Sequence, residues 1–493
     1  MQLAVLIRSL EVREIRGAMD LDIRDITYHS HLVKEGDLFV AIKGEKRDGH
    51  HFIQESITRG ARAVVVEELP VTVPDIPVVV VQDSRKALAL ISAAFFAHPS
   101  REMTLVGITG TSGKTTTSYL IESIMKAAGK AVGVIGTINY RLNGRERPAP
   151  TTTPQSYDLQ RLLREMVAEG IPNAVMEVSS HALDQERVRG CHFDAAVFTN
   201  ISPEHLDYHE DMDTYFAAKK RLFCEILPES EKAPWAIFNI DDPLVKDLPG
   251  ELASHRILTY GLNQGDIRVL QSNLSLKGTR AILALPAGTL AIETTLIGEY
   301  NLSNILAATA VGIALNCPAE AICQGIKDLS LVPGRMEQVG DGRPWVLIDY
   351  AHKPEALEKS LQEIKRLAKK KVVVVFGCGG DRDRSKRAPM GRIGVLWSDL
   401  AIITSDNPRT EDPLRIIAEI EKGAEEISPP RDYLVIPDRK EAIKKAIALA
   451  EDEDCVLITG KGHEDYQIIG EQRFPFDDRM EARRALAARD KRQ

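Results

Sequence analysis

Short apolar runs and longer helical periodicities alternate along most of this chain. Aliphatic residues fill positions 63–66 and 78–81, and mostly apolar runs occupy 104–109, 131–135, 174–178 and 195–199. Runs this short, bounded by turn residues, predict buried strands rather than helices. Between them the apolar spacing becomes helical, over 84–97 and over 115–128, where Leu120, Ile121, Ile124 and Met125 share one face. Strand followed by helix, repeated, predicts an α/β fold with largely parallel sheets. Three blocks separate. Residues 1–99 include a turn and strand over 36–41 and end at His98-Pro99-Ser100. Residues 100–332 form the second block, which runs out near Leu331-Val332-Pro333-Gly334-Arg335. Residues 333–493 carry strands over 346–349, 371–376, 400–404, 433–436 and 455–459, predicting a second doubly wound sheet. In such sheets ligands gather at the carboxyl ends of the strands.

Composition narrows the function classes. The 493 residues carry 63 Lys and Arg against 71 Asp and Glu, a net charge of −8 with no basic block. Bulk charge therefore argues against a nucleic-acid partner, although a local anion site remains open. No stretch approaches the ~20 apolar residues of a membrane span. The start, Met1-Gln2-Leu3-Ala4-Val5, has neither a basic region nor a small-residue cleavage site, predicting no signal peptide. Six scattered cysteines without C-x-x-C spacing predict reduced thiols and no structural zinc.

The strongest chemical signal is Thr109-Gly110-Thr111-Ser112-Gly113-Lys114-Thr115-Thr116, between a strand and a helix. Glycines allow tight geometry, backbone N–H groups face phosphates, and the helix N-terminus adds positive potential. Lys114 can reach the β and γ phosphates and the Thr115 hydroxyl can meet Mg²⁺. The loop is shorter than G-x-x-x-x-G-K-[ST], which would need glycine where Ile108 stands.

Other candidates follow later strands. Glu177 closes the strand at 174–178, and a carboxylate there can offer oxygen to Mg²⁺. His205 lies beyond the strand at 195–199, in Ser202-Pro203-Glu204-His205-Leu206-Asp207-Tyr208-His209. In Ala217-Ala218-Lys219-Lys220-Arg221 spacing alone does not separate Lys219 from Lys220. Asp406-Asn407-Pro408-Arg409 reads equally as an Asn-Pro turn or as a carboxylate-gripping site.

Taken together these segments resemble the Mur ligases of peptidoglycan synthesis. The resemblance runs through the phosphate loop, Met176-Glu177-Val178-Ser179-Ser180-His181, His205-Leu206-Asp207-Tyr208-His209 and Ala218-Lys219. It continues through Gly298-Glu299-Tyr300-Asn301-Leu302-Ser303-Asn304, Pro333-Gly334-Arg335-Met336-Glu337 and Asp349-Tyr350-Ala351-His352. It closes with Gly377-Cys378-Gly379-Gly380-Asp381-Arg382-Asp383, Asp406-Asn407-Pro408-Arg409 and Gly460-Lys461-Gly462-His463-Glu464. The order is kept over nearly the whole chain.

The resemblance implies a three-domain α/β fold, with a central phosphate-loop ATPase-type parallel sheet and a C-terminal Rossmann-like sheet. It implies a UDP-binding domain over 1–99, an ATP-binding domain over 100–332 and an amino-acid-binding domain over 333–493. The Asp406–Arg409 segment resembles the signature of members that add meso-2,6-diaminopimelate to UDP-MurNAc-L-Ala-D-Glu through an acyl phosphate. Lysine-adding relatives usually lack that arginine. ATP as co-substrate, Mg²⁺ as cofactor, a cytoplasmic location and a monomer are implied with it.

Residue by residue, the resemblance gives Gly110, Thr111, Ser112, Gly113, Lys114, Thr115 and Thr116 to ATP, with Asn301, Arg335, Asp349 and His352 around its base and ribose. Ser30, Thr152, Thr153, Ser179, Gln185 and Arg187 match positions for the UDP-MurNAc-dipeptide. Arg382, Asp406, Asn407, Pro408, Arg409, Gly460 and Glu464 match the diaminopimelate positions. Lys114, Glu177, His205 and Lys219 form the implied catalytic set. Mg²⁺ falls to Thr115, Glu177, His205 and Lys219, the last as N6-carboxylysine, a choice made by alignment. The chain departs from the family at His29-Ser30-His31, where Asp-Ser-Arg is common, and Glu45-Lys46-Arg47 corresponds only loosely.

Other readings make different demands. An L-lysine-adding ligase would share everything but Arg409. Folylpolyglutamate synthetases share the phosphate loop and the carboxylysine but leave Asp406–Arg409 unaccounted for. A nucleotide-dependent switch would need neither the third block nor the acceptor motifs.

Overall fold

The computed structural model describes residues 1–44, 47–72, 74–252 and 256–490. Glu45 and Lys46 of the loosely matching loop lie outside the described residues. The chain forms two compact units. The first holds Met1–Val269, Ala284–Gly288 and Asn304–Gly325, and the second Leu270–Leu283, Thr289–Ser303 and Ile326–Gln493. Among the described residues no helix is long and apolar enough to cross a membrane.

The first unit begins with a five-stranded sheet in the order Val12–Arg16, Val78–Val81, Ala63–Val66, Leu38–Val40, Ile26–Thr27. All neighbours are parallel except the first pair. The aliphatic runs sit in the inner strands Leu38–Val40, Ala63–Val66 and Val78–Val81, which are buried throughout, whereas the edge strand Val12–Arg16 is largely exposed. Ala63, Val65, Val79 and Val81 point into one core, while Val64, Val66, Val78 and Val80 enter another. The helix Ser84–Phe95 ends two residues before its sequence expectation, and Asp83 caps it by accepting from the N–H groups of Arg85 and Lys86.

The central sheet supplies the frame for chemistry. Its parallel core runs Trp235–Asn239, Ala195–Phe198, Thr104–Thr109, Asn173–Glu177, Gly133–Ile135. The chain leaves Thr104–Thr109 toward one side, fills in with Asn173–Glu177, and then crosses to Ala195–Phe198 on the other side. Thr104–Thr109 is therefore the strand at which the winding reverses, and a crevice opens at its carboxyl end. Two tyrosine–aspartate hydrogen bonds tie the helix Ser156–Ala168 to the first sheet's loops. Tyr28 donates to Asp158 at 2.8 Å and Tyr157 to Asp25 at 2.7 Å. Arg164 on the same helix donates to the carbonyls of Phe96 and Ala97.

The second unit contains a six-stranded sheet in the order Glu337–Val339, Trp345–Asp349, Cys455–Thr459, Val372–Phe376, Leu400–Ile403, Tyr433–Val435. Only the first pair is antiparallel. Alternation again splits each run between two cores: Val372, Val374 and Phe376 join Leu457, while Val373 and Val375 join Val456 and Ile458. The carboxyl ends of these strands carry the segments at Asp349, Gly377, Asp406 and Gly460.

Candidate active site

The phosphate loop turns at two glycines with positive φ. Gly110 has φ +142°, and a Cβ there would lie 2.0 Å from the Thr199 hydroxyl. Gly113 has φ +87°, caps the helix Lys114–Ala127, and would drive a Cβ to 2.4 Å from Asn304 Oδ1. Asn200 Oδ1 accepts from the Ser112 N–H at 2.9 Å, and the Thr199 hydroxyl donates to the Ser112 carbonyl at 2.6 Å. Thr111 Oγ1 pairs with the Tyr215 hydroxyl at 3.1 Å. The loop is thus held from Ala195–Phe198 and its following turn, leaving the helix N-terminus as an anion site. The Lys114 ammonium donates to the carbonyls of Gly110 at 2.6 Å and Thr111 at 2.9 Å.

Glu177 is buried at the end of the neighbouring strand. Its Oε2 accepts from Thr115 Oγ1 at 3.1 Å and Thr137 Oγ1 at 2.8 Å, and its Oε1 from the Thr137 N–H at 3.0 Å. Gly136 lets this happen, since a Cβ there would meet Glu177 Oε1 at 2.6 Å. The Thr115 and Glu177 oxygens are hard donors of the kind Mg²⁺ takes. Thr137, which sequence reading passed over, is the third member of this cluster.

Lys219 and Lys220 part company in the structure. Lys219 is 1% exposed, donates to the Gly110 carbonyl at 2.9 Å and lies 4.6 Å from the Tyr215 ring centre. Lys220 instead pairs with Glu251 at the surface. Complete burial, and then the Lys114 charge, push the Lys219 amine well below its ordinary value, with Glu204 pulling the other way. His205 has φ +56° and its Nε2 is 3.8 Å from Glu204 Oε1. Its ring stands 4.7 Å edge-on from His181 and 6.3 Å from Tyr215.

Five of the six residues matched to the UDP-MurNAc-dipeptide join one network with Glu177. Thr152 Oγ1 pairs with Thr137 Oγ1 at 3.1 Å. Thr153 Oγ1 donates to the Glu177 carbonyl at 2.8 Å and accepts from the Ser179 N–H at 3.1 Å. Arg187 donates to the Thr153 carbonyl at 2.9 Å and, through Nη2, to Gln185 Oε1 at 2.7 Å. Ser30 lies elsewhere, on the first sheet's loops, where its hydroxyl donates to Glu55 at 3.1 Å. The rings of His29 and His31 beside it are 5.4 Å apart.

In the second unit, Asn301 is buried and donates to the Ile297 carbonyl at 2.8 Å. The Arg335 guanidinium lies 4.9 Å from the Tyr350 ring centre. Asp349, whose acidity burial weakens, accepts from the N–H groups of Met336 and Ala351. His352 Nδ1 is 2.8 Å from the Tyr350 carbonyl.

The residues matched to diaminopimelate do converge. Arg409 sits at φ +53° and donates to the Gly380 carbonyl at 2.7 Å. A Cβ at Gly379 would come within 2.9 Å of Arg409 Nη1 and 3.8 Å of Arg382 Cγ, so both guanidinium arms border this turn. Gly380 is needed because its Cβ would strike the Pro408 carbonyl at 1.8 Å. Asn407 Nδ2 donates to Glu464 Oε2 at 2.9 Å, and a Cβ at Gly460 would lie 2.9 Å from Asp406 Oδ2. Two residues unassigned by sequence share the cluster. Gln467 donates to the Asp406 carbonyl at 2.6 Å, and Lys461 is fully buried.

Glu411 braces the same turn, accepting from the Asp381 N–H at 2.7 Å and from Arg387 at 2.8 Å. The Arg387 bonds lower its carboxyl from 4.5 to about 2. A carboxyl depressed on folding contributes stability that is complete above 4.5 and lost as pH falls toward 2. Glu411→Gln is therefore expected to be less stable than the parent at neutral pH and to lose less on acidification. Denaturant midpoints at stepped pH check this; parallel curves would contradict it.

Three family models match the chain: "Mur ligase family, catalytic domain" over 22–96, "Mur ligase middle domain" over 108–312, and "Mur ligase, glutamate ligase domain" over 334–462. The chain is 45% identical to a UDP-N-acetylmuramoyl-L-alanyl-D-glutamate–2,6-diaminopimelate ligase of Geobacter metallireducens, over 99% of this chain and 98% of the relative. A Geobacillus kaustophilus ligase of the same name is also 45% identical, covering 95% and 96%. A solved structure of a ligase so named superposes with a TM-score of 0.72 at 31% identity, covering 99% of both chains. The ADP complex of a MurF ligase from Thermotoga maritima shares the fold, with a TM-score of 0.63 at 21% identity, over 95% of this chain and 99% of that one. With its strand order, its phosphate loop and 45% identity end to end, this chain belongs to the Mur ligase family.

Proposed function

We propose that the chain is an ATP-dependent ligase adding meso-2,6-diaminopimelate to UDP-MurNAc-L-Ala-D-Glu in peptidoglycan precursor synthesis. The observation that carries this reading is Arg409. Its guanidinium is fixed on the Gly380 carbonyl beside Arg382, in a loop whose Asn407 is bonded to Glu464. Diaminopimelate has a second carboxylate that lysine lacks. A guanidinium grips a carboxylate with two hydrogen bonds and repels an ammonium end.

The reaction has two steps. The D-glutamate side-chain carboxylate attacks the γ-phosphoryl group of ATP, giving an acyl phosphate and ADP. A neutral diaminopimelate amine then attacks the acyl carbon, phosphate leaves with the bonding pair, and the nitrogen gives up one proton to solvent as the amide forms. Phosphoryl transfer asks mainly for positioning and charge neutralisation. The phosphate-loop N–H groups hold the polyphosphate, and Lys114 swings from its carbonyls onto the γ-phosphate. Thr152, Thr153, Ser179, Gln185 and Arg187 hold the muropeptide, with Ser30 at its uridine end. Asn301, Arg335, Asp349 and His352 serve the base and ribose.

Thr115 and Glu177 would hold Mg²⁺, which their oxygen donors suit, and His205 would hold a second ion. When bound, the metal neutralises charge on the transferring phosphoryl oxygens. We assign Lys219 as a carboxylysine: its amine adds carbon dioxide, loses a proton and becomes an anion. A neutral amine is the reactive form, and the burial of Lys219 favours it. Three domains over 1–99, 100–332 and 333–493, a monomer and a cytoplasmic setting complete the proposal.

Phosphate release in the presence of UDP-MurNAc-L-Ala-D-Glu, ATP and Mg²⁺ tests the substrate. Turnover is expected with meso-diaminopimelate and not with L-lysine. Equal or faster turnover with lysine overturns the choice of amino acid, and hydrolysis that needs no amino acid overturns the ligase.

A further inference from the structure

Lys461 follows the strand Cys455–Thr459 in a turn bounded by two glycines of positive φ, Gly460 at +111° and Gly462 at +54°. These glycines let the chain fold its lysine inward: a Cβ at Gly462 would lie 2.7 Å from Tyr350 Cβ. The side chain is 0% exposed. An ammonium in such a place needs partners that repay its lost hydration. Its Nζ lies 3.2 Å from Glu464 Oε2, 3.3 Å from Asn407 Oδ1 and 3.8 Å from Asp406 Oδ1. All three partners belong to the amino-acid cluster.

Lysine only donates, which fixes the rest of the arrangement. The Asn407 amide must turn Oδ1 toward Lys461, where it also accepts from the Ile468 N–H at 2.9 Å. That leaves Asn407 Nδ2 to donate to Glu464 Oε2 at 2.9 Å. Glu464 Oε2 is thereby occupied twice. Asp406 Oδ1 is buried with no hydrogen-bond partner. An ammonium between two carboxylates also cancels one of their two charges.

We infer that Lys461 is a positioning residue for the incoming amino acid: it occupies Glu464 Oε2 and leaves Oε1 to receive one substrate ammonium. The inference rests on the diaminopimelate reading of this cluster. Other charged and titratable groups around the two carboxylates are the Arg439–Asp478 ion pair, Lys386, Cys378, Arg409, Tyr350 and Tyr466.

Lys461→Met and Lys461→Gln, compared with the parent enzyme and Glu464→Gln, test this. In the lysine variants the KM for meso-diaminopimelate is expected to rise about tenfold or more, with those for ATP and UDP-MurNAc-L-Ala-D-Glu within about twofold. The kcat at saturating meso-diaminopimelate is expected to stay within about threefold, a split between KM and kcat that a general loss of structure does not give. Lys461→Gln serves if the methionine variant does not fold. An unchanged KM for meso-diaminopimelate, or equal rises in all three KM values, overturns the role of Lys461. Failure of the underlying reading looks different: the parent enzyme does not saturate with meso-diaminopimelate, or Glu464→Gln leaves its KM unaltered.

Discussion

Lys114→Ala is expected to bind UDP-MurNAc-L-Ala-D-Glu normally and to lose about 10³-fold in kcat, the scale of removing a charge-stabilising group from phosphoryl transfer. Lys114 already sits over the loop on the carbonyls of Gly110 and Thr111, both of which stay with the backbone when the side chain is cut. The loop's other anchors, Asn200, Thr199 and Tyr215, are untouched by the substitution. The loss therefore belongs to the charge that develops on the γ-phosphoryl oxygens rather than to collapse of the loop. ADP release under saturating substrates measures it, and calorimetric titration of the UDP-substrate controls for folding. A loss below tenfold would show that the N–H groups and helix N-terminus suffice.

Arg409→Ala is expected to lower kcat/KM for meso-diaminopimelate by about 100-fold. Charge-assisted hydrogen bonds contribute about 1.5–3 kcal/mol, and 1.4 kcal/mol is about tenfold. The variant also removes the cation that repels the ammonium end of lysine, so its preference over lysine narrows. Competition between the two amino acids at equal concentration reads both changes. Unaltered preference would move recognition of the distal carboxylate to Arg382. Lys461 stays in place in this variant, which separates carboxylate gripping from ammonium presentation.

Much of this was legible in the chain itself. The aliphatic runs at 78–81 and 372–376 had to be buried strands because every residue is apolar, and each proved to feed two cores by alternation. The phosphate loop was legible because its glycines, lysine and threonines are contiguous. What stayed hidden depended on contacts between distant positions. Lys219 and Lys220 are neighbours on one helix, and a turn of about 100° per residue sends one under the phosphate loop and the other to Glu251. Thr137 meets Glu177 across 40 positions, with no periodicity to announce it. Lys461 in a glycine-rich turn reads as a solvated charge until Asp406 and Asn407, 55 and 54 positions upstream, are folded against it.

The two tyrosine–aspartate bonds on the helix Ser156–Ala168 have a consequence for folding. That helix belongs to the central layer, yet its Tyr157 packs on the core of the first sheet and its Arg164 closes the exit from Ser84–Phe95. The first hundred residues are therefore expected to share a cooperative unit with the central layer instead of opening as a foldon of their own. Deep amide protons on both sides of His98-Pro99-Ser100 are therefore expected to exchange through one common opening; separate openings, or an early protease cut at that seam, would contradict the shared unit.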